Sequence, residues 1–162
     1  MKKHIAYFGL LLTFALILSY VESLIPIFVS IPGVKLGLAN LVVLICLYAF
    51  PTKYAFLISF MRVILAGLLF GNMFSILYSL SGAILSLIVM ILVKKYLKLG
   101  VLGVSILGGV FHNIGQLIVA ITVVSNYRIG YLFPYLFLSG ILTGAIIGII
   151  ANNVIPYLKK LL

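Results

Sequence analysis

The chain has 162 residues, of which 65% are hydrophobic and 7% are charged, and its mean hydropathy is +1.42. A soluble domain needs far more charge to cover its surface, so this composition excludes a soluble protein and predicts a membrane protein. The formal net charge of +10 comes from bases that are spread along the chain rather than gathered in one stripe. It therefore indicates contact with membrane lipid and no binding of nucleic acid.

Six apolar runs follow one another along the chain. A helix needs about 20 residues to cross a hydrocarbon core of roughly 30 Å, and each run is close to that length. The runs cover residues 5–22, 34–50, 54–71, 73–93, 100–124 and 131–155. We therefore predict an all-α, polytopic membrane protein in which residues 1–162 form a single domain of six transmembrane helices.

Basic residues occupy every second gap between these runs. The gaps after the first, third and fifth runs contain only Lys35 and Arg128, and Arg62 lies inside a run. Cytoplasmic loops carry an excess of Lys and Arg, so both termini are predicted to be cytoplasmic. The bases of the cytoplasmic gaps are Lys2, Lys3, Lys53, Lys94, Lys95, Lys98, Lys159 and Lys160.

The longest break between runs follows the first one. It is apolar, but Pro26 and Pro32 prevent a regular helix. Such a segment is predicted to dip over the bundle as an external gating loop. Glu22 and Lys35 flank the loop, and the simplest interpretation is that they pair with each other and latch it.

Polar side chains at membrane depth gather toward the outer ends of the helices. Such groups are costly in hydrocarbon, so they need a partner or a function. Their distribution predicts a ligand pocket that faces outward and is closed on the cytoplasmic side. The predicted ligand-binding residues are Asn40, Arg62, Tyr78, Ser79, His112, Asn113 and Gln116.

Two interpretations stay open for several of these residues. Arg62, near the membrane midplane, is either satisfied by helix-end carbonyls and serines or holds an anionic group of a ligand. Tyr78 either stacks on a flat ligand or fills space. A lone buried histidine is usually structural, but His112, Asn113 and Gln116 place three hydrogen-bonding side chains within five residues, which favours ligand contact.

Small residues at helical spacing predict where helices approach closely. Gly140, Gly144 and Gly148 form one such ridge, and Gly67 with Gly71 forms another. Packing within the bundle is the default interpretation of each. Ala6, Gly9 and Thr13 share a face of the first helix, which is interpreted either in the same way or as a docking face for another membrane subunit.

The sequence lacks several groups that enzymes need, and this absence excludes some classes of function. The sequence has no aspartate and one glutamate, so it offers no carboxylate pair for hydrolysis or for holding Mg²⁺ on a diphosphate. It has no phosphate-binding loop, and Cys46 alone makes no disulfide or zinc site. We therefore predict that the chain is not an enzyme and has no catalytic residue, metal or cofactor of its own.

Four segments resemble the Gx transporter family, whose members are often labelled heptaprenyl diphosphate synthase component I. This family in turn resembles the substrate-binding S components of energy-coupling-factor (ECF) transporters, which implies a prokaryotic plasma-membrane protein. The resemblance also implies a small-molecule substrate, a lid over the pocket, and an ECF T subunit and ATPase subunits as partners. The segments that carry it are Ser19–Pro26, Pro32–Asn40, Phe74–Gly82 and Phe111–Gln116.

The leading hypothesis is accordingly the S component of an ECF-type importer that captures a vitamin- or cofactor-like molecule from outside. The main alternative is a non-catalytic membrane subunit of an isoprenoid, quinone or flavin-linked redox pathway, and a structural scaffold is the third. The synthase label conflicts with the residues, because prenyl-diphosphate synthases use aspartate-rich Mg²⁺ motifs and this chain contains no aspartate.

Overall fold

The computed structural model describes residues 2–24 and 37–161. Within these ranges the chain forms α-helices and no strand, which confirms the predicted all-α fold. A π-helical turn, Val93–Leu97, continues the fourth helix, and a 3-10 helix, Tyr127–Leu132, precedes the sixth. The α-helices are α1 (Lys2–Leu24), α2 (Leu38–Ala49), α3 (Thr52–Phe70), α4 (Met73–Leu92), α5 (Val101–Val124) and α6 (Phe133–Leu161).

Five of the helical segments in the described ranges are long and apolar enough to cross a membrane. The exception is α2, whose 12 residues extend for only about 18 Å. The second run was predicted to be helical over 34–50, but α2 begins after Gly37, whose φ of 70° is left-handed and does not continue a helix. The predicted polytopic helical bundle is confirmed, with α2 as a shorter member.

Most of the predicted gating loop lies outside the residues that the structure describes. Pro26, Pro32 and Lys35 lie outside the described residues. The predicted pairing of Glu22 with Lys35 therefore stays a prediction.

The short helix α2 lies at the centre of the bundle, where it contacts α1, α3 and α6. Every residue from Val42 to Leu47 is buried. These side chains meet Ala55 at the start of α3, Met90 near the end of α4 and Ala151 in the last part of α6. The apolar core therefore occupies the end of the bundle at which α2 and α4 finish.

That end also carries the described lysines, and we call it the lysine end. Lys94 Nζ donates a hydrogen bond to the carbonyl of Leu47 at 2.5 Å and lies 4.6 Å from the centre of the Tyr48 ring. Because the last carbonyls of a helix have no partner within it, this contact caps α2 with the turn that follows α4. The lysines in the described ranges at this end are Lys2, Lys3, Lys53, Lys94, Lys95, Lys98, Lys159 and Lys160.

Glycines allow α5 and α6 to pack with their backbones in contact. A Cβ at Gly140 would lie 2.8 Å from the Cα of Val110, and one at Gly144 would lie 2.7 Å from the Cα of Ile106. Ser105 Oγ donates to the carbonyl of Gly144 at 2.6 Å across the same contact. The glycine ridge predicted on the sixth helix is thus a packing surface within the bundle.

A similar contact joins α4 to α5. A Cβ at Gly82 would lie 2.7 Å from the carbonyl oxygen of His112, and one at Gly115 would lie equally close to the carbonyl oxygen of Ser81. Ser86 Oγ donates to the carbonyl of Gly108 at 2.7 Å. Small residues of α4 therefore serve helix packing over the second half of that helix.

Candidate ligand cavity

A polar cavity of about 160 Å³ lies at the end of the bundle opposite the lysines, which we call the cavity end. Five helices contribute to this main cavity, and its position follows from where they begin and end: α1 and α3 finish there, whereas α2 and α4 start there. The lining comprises Ser19, Glu22, Ser23, Gly37, Asn40, Arg62, Val63, Ala66, Gly67, Phe70, Gly71, Ser75, Ser79 and His112.

Arg62 supplies the positive charge of the main cavity. It lies in the middle of α3, is 8% exposed, and donates from Nη2 to Asn40 Oδ1 at 3.0 Å. Its Nε has no hydrogen-bond partner among the residues that the structure describes. A buried donor without an acceptor is costly, so Arg62 brings a charged guanidinium with unused hydrogen-bonding capacity to the cavity lining.

Glu22, the single acidic residue of the chain, lies across the same cavity. Its carboxylate accepts a hydrogen bond from the backbone N–H of Gly37 at 2.5 Å. Gly37 is the N-cap of α2, so the carboxylate is stabilised by the positive end of that helix. This contact fastens the end of α1 to the start of α2.

His112 and Asn113 lie side by side in the middle of α5 but have different surroundings. His112 is buried and lines both the main cavity and a second cavity of about 30 Å³ between α2, α4, α5 and α6. Asn113 lines only the second cavity, and its Nδ2 donates to the carbonyl of Leu136 at 2.7 Å, which ties α5 to α6. The second cavity has about the volume of one water molecule.

Gln116 and Tyr78 line neither cavity. Gln116 is 1% exposed, and its amide nitrogen and oxygen have no hydrogen-bond partner within the described part of the chain. Its Cγ lies against Gly82, in the contact between α4 and α5. Tyr78 is buried and stacks on Phe74 with ring centres 6.0 Å apart. A ligand contact for either residue stays a prediction.

The structure therefore brings four of the seven predicted residues together in the main cavity: Asn40, Arg62, Ser79 and His112. It also adds three serines that were not predicted as ligand contacts, namely Ser19, Ser23 and Ser75. Spacing could have found Ser19, because it lies three residues before Glu22 and shares its helix face. Ser75 lies four residues before Ser79 in the same way.

Asn72 and Ser75 also form the start of α4 next to the cavity. The side chain of Asn72 accepts from the backbone N–H of Ser75 at 2.8 Å, and Ser75 Oγ accepts from the N–H of Asn72 at 2.9 Å. This reciprocal pair is a capping box, and it fixes the start of α4 at Asn72.

A bundle of apolar helices with a polar cavity at one end and a packed core at the other defines a class: a multi-pass membrane protein with an internal polar site. Residues 11–154 match the family model described as heptaprenyl diphosphate synthase component I, and the chain belongs to that family. The matched range includes all of the residues that line the main cavity. No curated protein and no solved structure matches the chain.

Proposed function

We propose that this protein is the membrane-embedded substrate-binding component of an ECF-type importer and captures a small molecule from outside the cell. The main cavity carries the proposal, because it combines a polar lining with the unsatisfied donor of Arg62 at one end of an otherwise apolar bundle. Membrane proteins retain such groups at binding sites and transport pathways.

The distribution of charge supports an outward-facing cavity. The described lysines gather at the end opposite to the cavity, and Lys/Arg-rich loops are cytoplasmic in most membrane proteins. Between the lysine end and the cavity lies the buried core around α2. A cavity with a packed core beneath it suits capture on one side, followed by a rearrangement that releases the molecule on the other.

Partner subunits would supply the energy for that rearrangement. The sequence has no phosphate-binding loop, so hydrolysis of ATP falls to ATPase subunits joined through a T subunit. Ala6, Gly9 and Thr13 are all exposed on α1, and a Cβ at Gly9 would meet no atom within 4 Å. This open face of small residues supports the proposal that α1 contacts the T subunit.

The family name favours a second candidate function, that of a non-catalytic membrane subunit in isoprenoid, quinone or flavin-linked redox metabolism. In this role the protein would assist a catalytic partner, since the chain contains no aspartate with which to hold Mg²⁺ on a diphosphate. The two functions differ in what the main cavity holds: a water-soluble metabolite in the importer, and a prenyl or quinone compound in the alternative.

Purification from native membranes in a mild detergent, followed by mass spectrometry of the extracted small molecules, tests the proposal. A water-soluble metabolite at a stoichiometry near one, together with co-purifying ATPase subunits, is the expected result. A prenyl or quinone compound with a synthase partner would replace the importer by the alternative. The protein without any small molecule or ATPase partner would refute both.

Variants in α5 locate the site within the same experiment. His112→Ala is expected to reduce retention of the co-purifying molecule at least about tenfold while the bundle stays folded, because it removes a hydrogen-bonding group from the wall of the main cavity. Asn113→Ala is expected to have a smaller effect on retention, because Asn113 lines only the second cavity and its amide bonds to α6. Thr122→Ala is the matched control, since Thr122 is exposed on the same helix and bonds only to carbonyls of its own helix. Equal retention by all three variants would remove α5 from the site.

A further inference from the structure

The charges that line the main cavity restrict the molecule it binds. Among the described residues, the lining contains one guanidinium, that of Arg62, and one carboxylate, that of Glu22. The first turn of α2, which begins at Gly37 in the lining, adds a partial positive charge of about half a unit. The described part of the lining is thus close to neutral, with its positive and negative groups on different helices.

One unsatisfied atom of the residues in this lining is a donor on the cation. Arg62 Nη2 already donates to the amide oxygen of Asn40, a neutral acceptor, whereas Nε has no partner in the described part of the chain. A carboxylate is a strong acceptor for a guanidinium, because charge-assisted hydrogen bonds are about twice as strong as neutral ones. Its planar shape also fits the edge of the guanidinium group.

The net charge of the lining distinguishes singly from doubly charged anions. Within the described lining, Arg62 and Glu22 cancel and the start of α2 adds about half a positive unit, so a group with one negative charge leaves only about half a negative unit. A phosphate monoester carries nearly two negative charges at neutral pH and would leave an excess of negative charge beside Glu22. Like charges in a buried site repel strongly, so the dianion is disfavoured.

The volume restricts the size of the molecule. A cavity of about 150 Å³ in a protein core holds benzene, and drug-sized ligands occupy pockets of roughly 300–1,000 Å³. The main cavity, at about 160 Å³, matches a single ring with a small substituent. Phe70 gives the lining an aromatic surface, and the hydroxyls of Ser75 and Ser79 give it polar contacts.

From these observations, and resting on the proposed capture function, we infer that the substrate is a small monocarboxylate of about one ring, bound with its carboxylate on Arg62. The guanidinium of Arg62 donates to the carboxylate, Asn40 holds the guanidinium in place through Nη2, and the ring lies toward Phe70 and the serines. The molecule carries a single negative charge, which excludes prenyl diphosphates and phosphorylated cofactors as the substrate.

Three single-ring probes test this class directly: benzoate, its neutral isostere benzamide, and the somewhat larger phenyl phosphate. Binding to the full chain in lipid nanodiscs at neutral pH is measured by calorimetry and by the shift in melting temperature. Benzoate is expected to bind at least about tenfold more tightly than either of the other two probes. Equal or tighter binding of benzamide or phenyl phosphate, or no binding of benzoate, overturns the inference.

Two variants assign the binding of benzoate to Arg62. Arg62→Gln is expected to weaken it about 10- to 100-fold, since a hydrogen bond to a charged group is lost. Asn40→Asp places a carboxylate on the guanidinium and should block benzoate while the melting temperature is unchanged or higher, so it remains informative if Arg62→Gln fails to fold. Arg128→Gln, at an exposed arginine, is the control. Unchanged benzoate binding in Asn40→Asp overturns the inference.

The outcomes separate this inference from the proposed function. If a neutral or doubly charged metabolite co-purifies with the protein and its ATPase subunits, the inferred class is wrong and the capture function stands. If the probes behave as expected but no ATPase subunit joins the complex, the monocarboxylate site stands and the importer is wrong.

Discussion

The two ends of the bundle are built in opposite ways from the same helices. At the lysine end, Leu47, Ala55, Val104 and Ala151 are completely buried and Lys94 caps the end of α2. At the cavity end, the helices leave about 160 Å³ unfilled, and the buried Arg62 lines that space. Packing therefore provides stability at one end, and incomplete packing leaves a polar cavity at the other.

The largest loss of stability is expected from Leu47→Ala, in the packed end. Leu47 is fully buried in α2, and truncation of such a side chain leaves a cavity that costs about 2–5 kcal/mol. Thermal or denaturant unfolding in nanodiscs measures the change. Leu138→Ala is the control, because Leu138 is 59% exposed on α6. If Leu47→Ala and Leu138→Ala have the same melting temperature, packing at the lysine end does not determine the stability of the bundle.

Gly144→Ala is expected to have the next largest effect. The added Cβ would lie 2.7 Å from the Cα of Ile106, so α5 and α6 must separate, at a cost of about 1–3 kcal/mol. Gly9→Ala is the matched control, since its Cβ meets nothing within 4 Å and a helical alanine is favoured over glycine by about 0.5–1 kcal/mol. A melting temperature that falls for Gly9→Ala and not for Gly144→Ala would contradict this prediction.

Asn72→Ala, at the cavity end, is expected to have a smaller effect on stability, about 1 kcal/mol. The substitution removes the cap of α4 and releases Ser75, which lines the main cavity. Binding of benzoate should therefore weaken by a small factor along with the melting temperature, whereas Leu47→Ala should lower only the melting temperature. Calorimetry on both variants below their melting temperatures separates the two effects. The reverse pattern would show that the two ends are not independent.

Much of the fold could be predicted because a helix that crosses a membrane needs a long apolar run, and such a run is visible in the sequence. Long apolar runs and lysines in alternate gaps indicated the helices, and the spacing of Gly140, Gly144 and Gly148 indicated a packing surface that the structure places against α5. The short length of α2 could not be predicted, because hydropathy does not detect the left-handed conformation of Gly37. Local backbone geometry decided that boundary.

The candidate site could be predicted only in part, because sequence spacing does not show how closely two helices approach. His112 and Gln116 share a face of α5, and yet only His112 lines the main cavity. Gly82 and Gly115 bring α4 so close to α5 that Gln116 is enclosed in their contact. Tyr78 and Ser79 differ for a simpler reason: neighbouring residues on a helix point about 100° apart, so only one of them faces the cavity.

For the proposed importer, the position of the main cavity also determines where the membrane voltage would act. In that arrangement the packed core around α2 lies between the cavity and the cytoplasmic side, so a large part of the potential would fall over the core. An anion bound in the cavity would still have to cross that part of the field, and full passage to a negatively charged cytoplasm costs about 2.3 kcal/mol for each 100 mV. Delivery, rather than capture, would then be the step that requires work.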